Sequence, residues 1–161
     1  MSNMSTVVIY GHVSPNIIDG SSIWLMSIAE TLSGVFDQVC VQLKDRLEND
    51  RLVKSVESIP NVAIVEPVGV DSLSVEAAVS EVESLVEKVG AEAVIVRGFD
   101  AANAFCMNKS IAPRLWSYVT ELPFPTQKLS RNNRNRLERI AGRSRRLSLI
   151  HISEPTRQAE I

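Results

Sequence analysis

The chain has 161 residues, 45% of them hydrophobic and 22% charged, with a net charge of −2. That is an ordinary globular composition, long enough for one packed domain. No stretch reaches the roughly 18 uncharged apolar residues needed to cross a bilayer, Met1–Thr6 lacks the basic and apolar regions of a secretory signal, and Cys40 and Cys106 supply neither a disulfide framework nor a ligand cluster.

The first predicted element is Thr6–Tyr10, a short β-rich run suited to a strand covered on both faces. His12–Gly20 is a loop. Asp19 stands where an N-cap belongs, and Trp24, Leu25, Ile28, Ala29 and Leu32 share one helical arc, with Ser27 and Glu30 outside it. Gly34 closes that helix. Gln38–Leu43 is a second strand. Lys44–Asn61 is charged and locally helical, closed by Pro60, and Val62–Val65 is a third strand.

Ser74–Lys88 is the clearest helix. Val75, Val79, Val82, Val86 and Val89 recur every three or four residues, with Glu76, Glu83 and Glu87 off the stripe. Valine is a modest helix former, so packing must hold this helix. Ala91–Gly98 is a buried strand with Arg97 at its C-terminal edge. A short helix at Ala101–Lys109, a strand within Arg114–Leu122 and a basic helix over Asn132–Arg146 follow. Leu137, Ile140 and Ala141 are the apolar patch of that helix.

Strands alternate with helices throughout, which predicts a Rossmann-like parallel sheet with helices on both faces. Right-handed crossovers then gather His12–Gly20, Gly98–Ala101 and Val119–Gln127 on one rim, where ligands of such sheets bind. Charge is uneven along the chain. Met1–Val96 holds 14 acidic and 5 basic residues, net −9, whereas Arg97–Arg146 holds 11 basic and 3 acidic, net +8. The basic region suits an anion, a polyphosphate, a nucleic acid, an acidic membrane surface or plain solvation. No nucleic-acid-reading motif accompanies Arg134, Arg136, Arg139, Arg143, Arg145 and Arg146, so nucleic acid is not the expected partner.

Neither a dinucleotide fingerprint nor a phosphate loop occurs. Gly20, Ser21 and Ser22 open the first helix, where backbone amides and hydroxyls can meet a phosphate or sugar oxygen, or can simply cap the helix with Asp19. Arg97 can hold a phosphate or carboxylate by two bonds, or pair with Asp100 or Glu121. His12 is a candidate donor or base. No spacing suggests a metal, and no catalytic triad or carboxylate pair can be assigned.

Leu147–Arg157, LSLIHISEPTR, resembles a translated sequencing-library adapter, eleven residues in order in one reading frame. On that reading Met1–Arg146 is the natural portion, 147–161 is a non-native tail, and His151 belongs to no site.

The stretches VVIYGHVSPNIIDGSSIWLMSIAETL and AVIVRGFDAANAFCMNKSIAPRLWSYVTELP together resemble the N-terminal domain of retaining GT-B glycosyltransferases. DGSS replaces the family's glycine pair, and RLERIAGRSRRL is similar to the helix before its strand leading toward the second domain. The resemblance implies sugar transfer from a nucleotide-sugar donor to a glycan or lipid-linked acceptor, without a cofactor. His12 and Gly20–Ser22 would line the acceptor wall, with Arg97 beside them. The donor-binding C-terminal domain would carry the diphosphate-binding basic pair and paired glutamates, so Met1–Arg146 alone is expected to be inert. A cytoplasmic location with peripheral contact at the inner membrane face is the matching expectation. The alternative is a non-catalytic nucleotide- or anion-binding α/β domain.

Overall fold

The computed structural model describes residues 3–119 and 129–149. Among these described residues, six parallel strands are connected through five α-helices in the chain order β1 (Thr6–Gly11), α1 (Gly20–Ser33), β2 (Gln38–Gln42), α2 (Lys54–Glu57), β3 (Val62–Val65), α3 (Val75–Val89), β4 (Ala93–Arg97), α4 (Phe99–Phe105), β5 (Leu115–Val119), α5 (Arg131–Arg143) and β6 (Arg146–Leu149). The spatial order is β3-β2-β1-β4-β5-β6. Each neighbouring pair is parallel, as the sequence predicts for a Rossmann-like sheet.

Alternation along the strands feeds two cores. Val7, Ile9, Val39, Val41, Ala93 and Ile95 point to one face, where Leu25, Met26 and Ala29 of α1 and Val56 of α2 cover them. Val8, Tyr10, Cys40, Val94 and Val96 point to the other, under α3, α4 and α5. Continuous apolar runs in β1 and β4 follow from that two-sided burial. Both cysteines are buried free thiols, and burial raises each above its ordinary value.

Local chemistry sets the helix ends. Ser74 caps α3 by accepting from the Ala77 amide at 3.1 Å. Gly90 closes α3 with φ +65°, a left-handed conformation that glycine takes without strain. On α3, Ala78, Val82 and Val86 are buried, and Val79 and Val89 pack at the margin.

Several boundaries differ from the sequence prediction. The charged segment Lys44–Asn61 holds only the four-residue α2, since its closely spaced polar residues offer few buried anchors. The fourth helix begins at Phe99 rather than Ala101, because Gly98 already serves as its N-cap. The basic helix ends at Arg143, and Arg146 lies in β6. Within it, Ile140 is fully buried and Leu137 packs against the core, while Ala141 is exposed. The boundary expected between Arg146 and Leu147 falls inside β6, whose Arg146 and Leu147 pair with Trp116 and Ser117. Glu121, most of the predicted loop Val119–Gln127, and His151 lie outside the described residues.

Docking of α5 consumes part of its charge. Arg136 pairs with Asp100 and lies 4.5 Å over the Phe99 ring, and Arg139 donates to Asn103 Oδ1 at 3.2 Å. Arg131, Arg134, Arg143 and Arg145 are exposed. No helix among the described residues is long and apolar enough to cross a membrane.

Candidate functional site

The strand order reverses between β1 and β4. From β1 the chain moves outward through β2 and β3, then returns to place β4 on the other side. Connections leaving β1 and β4 therefore diverge and open a crevice beyond their C-terminal ends. Gly11 and Arg97 are register partners at that edge. His12, Val13, Arg97, Gly98, Phe99, Asp100 and Ala101 line a small crevice of about 60 Å³ there.

Two predicted site residues, His12 and Arg97, are thus brought together. Tyr10 explains how His12 is held. The phenol is fully buried on β1, its ring stacks on Phe105 with centroids 5.4 Å apart, and its oxygen lies 2.5 Å from His12 Nδ1. Burial first, then the charge of Asp45, pushes the phenol well above its ordinary value, so it keeps its proton. A buried O–H needs an acceptor, and His12 Nδ1 is placed to be it. The neutral form of His12 then carries its proton on Nε2, the tautomer in which that nitrogen is a donor. Tyr10→Phe is expected to cost about 1 kcal/mol and to release this tautomer. Imidazole ¹⁵N shifts, assigned with His12→Asn, read the outcome, and an unchanged pattern in Tyr10→Phe would disprove the lock.

Arg97 lies 5.7 Å from the centroid of the Trp24 ring of α1, and Trp24 stacks on Tyr118 of β5 with centroids 4.7 Å apart. The guanidinium is held by aromatic surface and also acts on Asp19. Asp100, a predicted partner for Arg97, pairs with Arg136 instead. The neighbouring Gly98 has φ +107°, which side-chain-bearing residues rarely adopt, so the turn beside the crevice depends on glycine.

Gly20, Ser21 and Ser22 do not line that crevice. Asp19 Oδ1 accepts from the amides of Ser21 and Ser22, both at 2.9 Å. The Ser22 hydroxyl is buried, accepts from the Asp19 amide at 2.9 Å and donates to the Ile17 carbonyl at 2.7 Å. This is a reciprocal capping box. Two amides that could have met an anion are engaged by a carboxylate, while Gly20 has open space around its Cα.

The cap has a pH signature. Hydrogen bonds from the Ser22 and Ser21 amides hold the Asp19 carboxyl below its ordinary value of 3.8. A depressed folded-state value contributes stability above the unfolded-state value, and that contribution is lost as pH falls through the folded one. Asp19→Ala is expected to cost about 1 kcal/mol at neutral pH. Urea denaturation should show the gap closing below about pH 4, and a gap that persists in acid would rule out the carboxylate cap.

Sequence reasoning missed a second group of residues. Ser14, Asn16, Ile17, Lys44, Asp45, Arg46, Glu48, Asp71 and Ser72 surround a hollow of about 570 Å³ at the C-terminal ends of β1, β2 and β3. No motif announces it, because three loops distant in sequence contribute. Comparison of the chain with protein-family models and with curated proteins finds no match.

Proposed function

We propose that this chain supplies the N-terminal, acceptor-side domain of a retaining GT-B glycosyltransferase, which moves a sugar from a nucleotide-sugar donor to a glycan or lipid-linked acceptor. The observation that carries the reading is the pairing of His12 and Arg97 in one crevice at the strand-order reversal. The sequence resemblance puts the acceptor wall on these same loops. A donor N–H from His12 and a guanidinium from Arg97 suit oxygens of a sugar or phosphate.

A second α/β domain would face this rim and hold the donor diphosphate. Stabilising the departing diphosphate requires preorganised positive groups that belong to that domain. The 161-residue chain alone is therefore proposed to be inactive. Of the six arginines grouped with the basic helix, Arg134, Arg143 and Arg145 leave charge on the surface for contact with an anionic membrane at the inner face.

The test is the source DNA across codon 147. A reading frame that continues into a second α/β domain with a basic rim residue and paired glutamates supports the proposal. A genomic copy that carries LSLIHISEPTR and then stops would overturn it and favour a stand-alone anion-binding domain. Sugar transfer by the purified chain from a panel of nucleotide-sugars would overturn the inactivity.

A further inference from the structure

We propose that the hollow beside the crevice is a saccharide-binding site: Asp45, Glu48, Lys44 and Ser14 hold the hydroxyls of one neutral sugar unit. The inference deepens the transferase reading and rests on it for naming that sugar as the acceptor. The volume, about 570 Å³, lies within the range of pockets that hold small ligands.

Its walls are fixed by hydrogen bonds between loops. From the β1–α1 loop, Asn16 Nδ2 donates to the Arg46 carbonyl at 2.8 Å, and Asn16 Oδ1 accepts from the Glu48 amide at 2.8 Å. The Ser72 hydroxyl donates to Asp45 at 2.5 Å, and the Leu73 amide donates to the Lys44 carbonyl at 2.8 Å. Three segments are thus tied to one another, which lowers the ordering cost of binding.

Charge decides the ligand class. Two cationic side chains, Lys44 and Arg46, face three carboxylates, Asp45, Glu48 and Asp71, and Arg46 is already 3.6 Å from Asp71. A phosphate group would meet net repulsion. A metal cage is not built either, for no group of three or more His, Cys, Asp or Glu among the described residues is placed to hold an ion. Hydroxyl groups fit both signs, since each can donate to a carboxylate and accept from Lys44. Ile17, 61% exposed at the lip, offers apolar surface to the C–H face of a sugar ring.

Asp45 also stays charged near neutrality. Burial raises its carboxyl, but bonds from Ser72 and Ser14 and the charge of Lys44 hold it below its ordinary value. A ligand hydroxyl therefore meets a carboxylate acceptor. The same carboxylate acts on Tyr10, which bonds His12, so hollow and crevice share one electrostatic network.

The experiment is an amide-resonance titration of the whole chain with maltose, cellobiose and lactose, beside pyrophosphate and glycylglycine. Saturable shifts at Ser14, Asp45, Arg46 and Ser72 with at least one sugar are expected. Glu48→Gln, at an exposed position, should weaken that sugar about tenfold without changing thermal stability, and Asp45→Asn should do at least as much. The proposal is overturned if no sugar moves these resonances, if pyrophosphate or glycylglycine moves them instead, or if Glu48→Gln binds sugar as well as the parent does. Failure here with a second domain found in the source DNA sinks the hollow alone. Sugar binding here with no second domain leaves a saccharide-binding module and sinks the transferase.

Discussion

Phe105→Ala is expected to remove about 3–5 kcal/mol of stability. Phe105 is fully buried at the end of α4, where it stacks on Tyr10 beneath the crevice. Truncation would lose both its own apolar burial and the contact that seats the phenol. Domains of this kind are stable by only about 5–15 kcal/mol, so the variant should unfold at much lower urea. Met107, 48% exposed two residues on, is the internal control: its alanine variant should shift stability by less than about 0.5 kcal/mol. Equal effects at the two positions would mean that α4 does not pack as described. Loss of the Tyr10 seat should also broaden the His12 ring resonances.

Ile140→Ala is expected to cost about 2–5 kcal/mol, because Ile140 is the buried residue by which α5 enters the core. The effect separates two uses of a basic amphipathic helix. An apolar stripe reserved for lipid would be solvent-facing in the free protein, and truncating it would spare stability while reducing attachment to anionic vesicles. With Ile140 in the core and Leu137 packed beside it, the loss should appear in urea denaturation. Amide exchange should rise first in α5 and β6. An unchanged midpoint would return the apolar stripe to the membrane. Surface charge is a separate matter, since Arg131, Arg134, Arg143 and Arg145 remain exposed.

Elements with a strong period are legible in the sequence itself. Val62–Val65 was read to the residue, and α3 to within one residue at each end, because valine spacing and Ser74 and Gly90 mark the limits by independent chemistry. Parallel pairing followed from the alternation of strands with helices, although the chain alone does not give the order β3-β2-β1-β4-β5-β6. Lys44–Asn61 misled because charge compatible with a helix does not create one; here polar groups bridge loops instead. Arg145 and Arg146 extended the basic helix on composition, yet Ser144 adopts an extended conformation and turns the chain toward β6.

The geometry of the candidate site was half legible. His12 and Arg97 could be placed on the rim because each follows or ends an apolar strand. Their mutual proximity depends on β1 and β4 being neighbours, a tertiary fact. Gly20–Ser22 offered two meanings in sequence, and the bonds to Asp19 account for most of their polar groups as a cap. The hollow was invisible. Asp45 and Ser72 form an isolated antiparallel bridge between loops separated by α2 and β3, and no local pattern encodes such a meeting.

The central pair of the sheet also fixes an order of events during synthesis. Val7 pairs with Val39 on one side and with Ala93 on the other. On a chain leaving the ribosome N-terminus first, β1 can meet β2 early, while its other edge waits until β4 has emerged. Closing that long loop carries an entropic cost that local contacts do not share. Throughout the interval β1 keeps one apolar strand edge unpaired, the kind of surface that recruits chaperones or neighbouring nascent chains. Slowing translation at any point before β4 has cleared the ribosome would prolong the exposure, whereas slowing it afterwards would not.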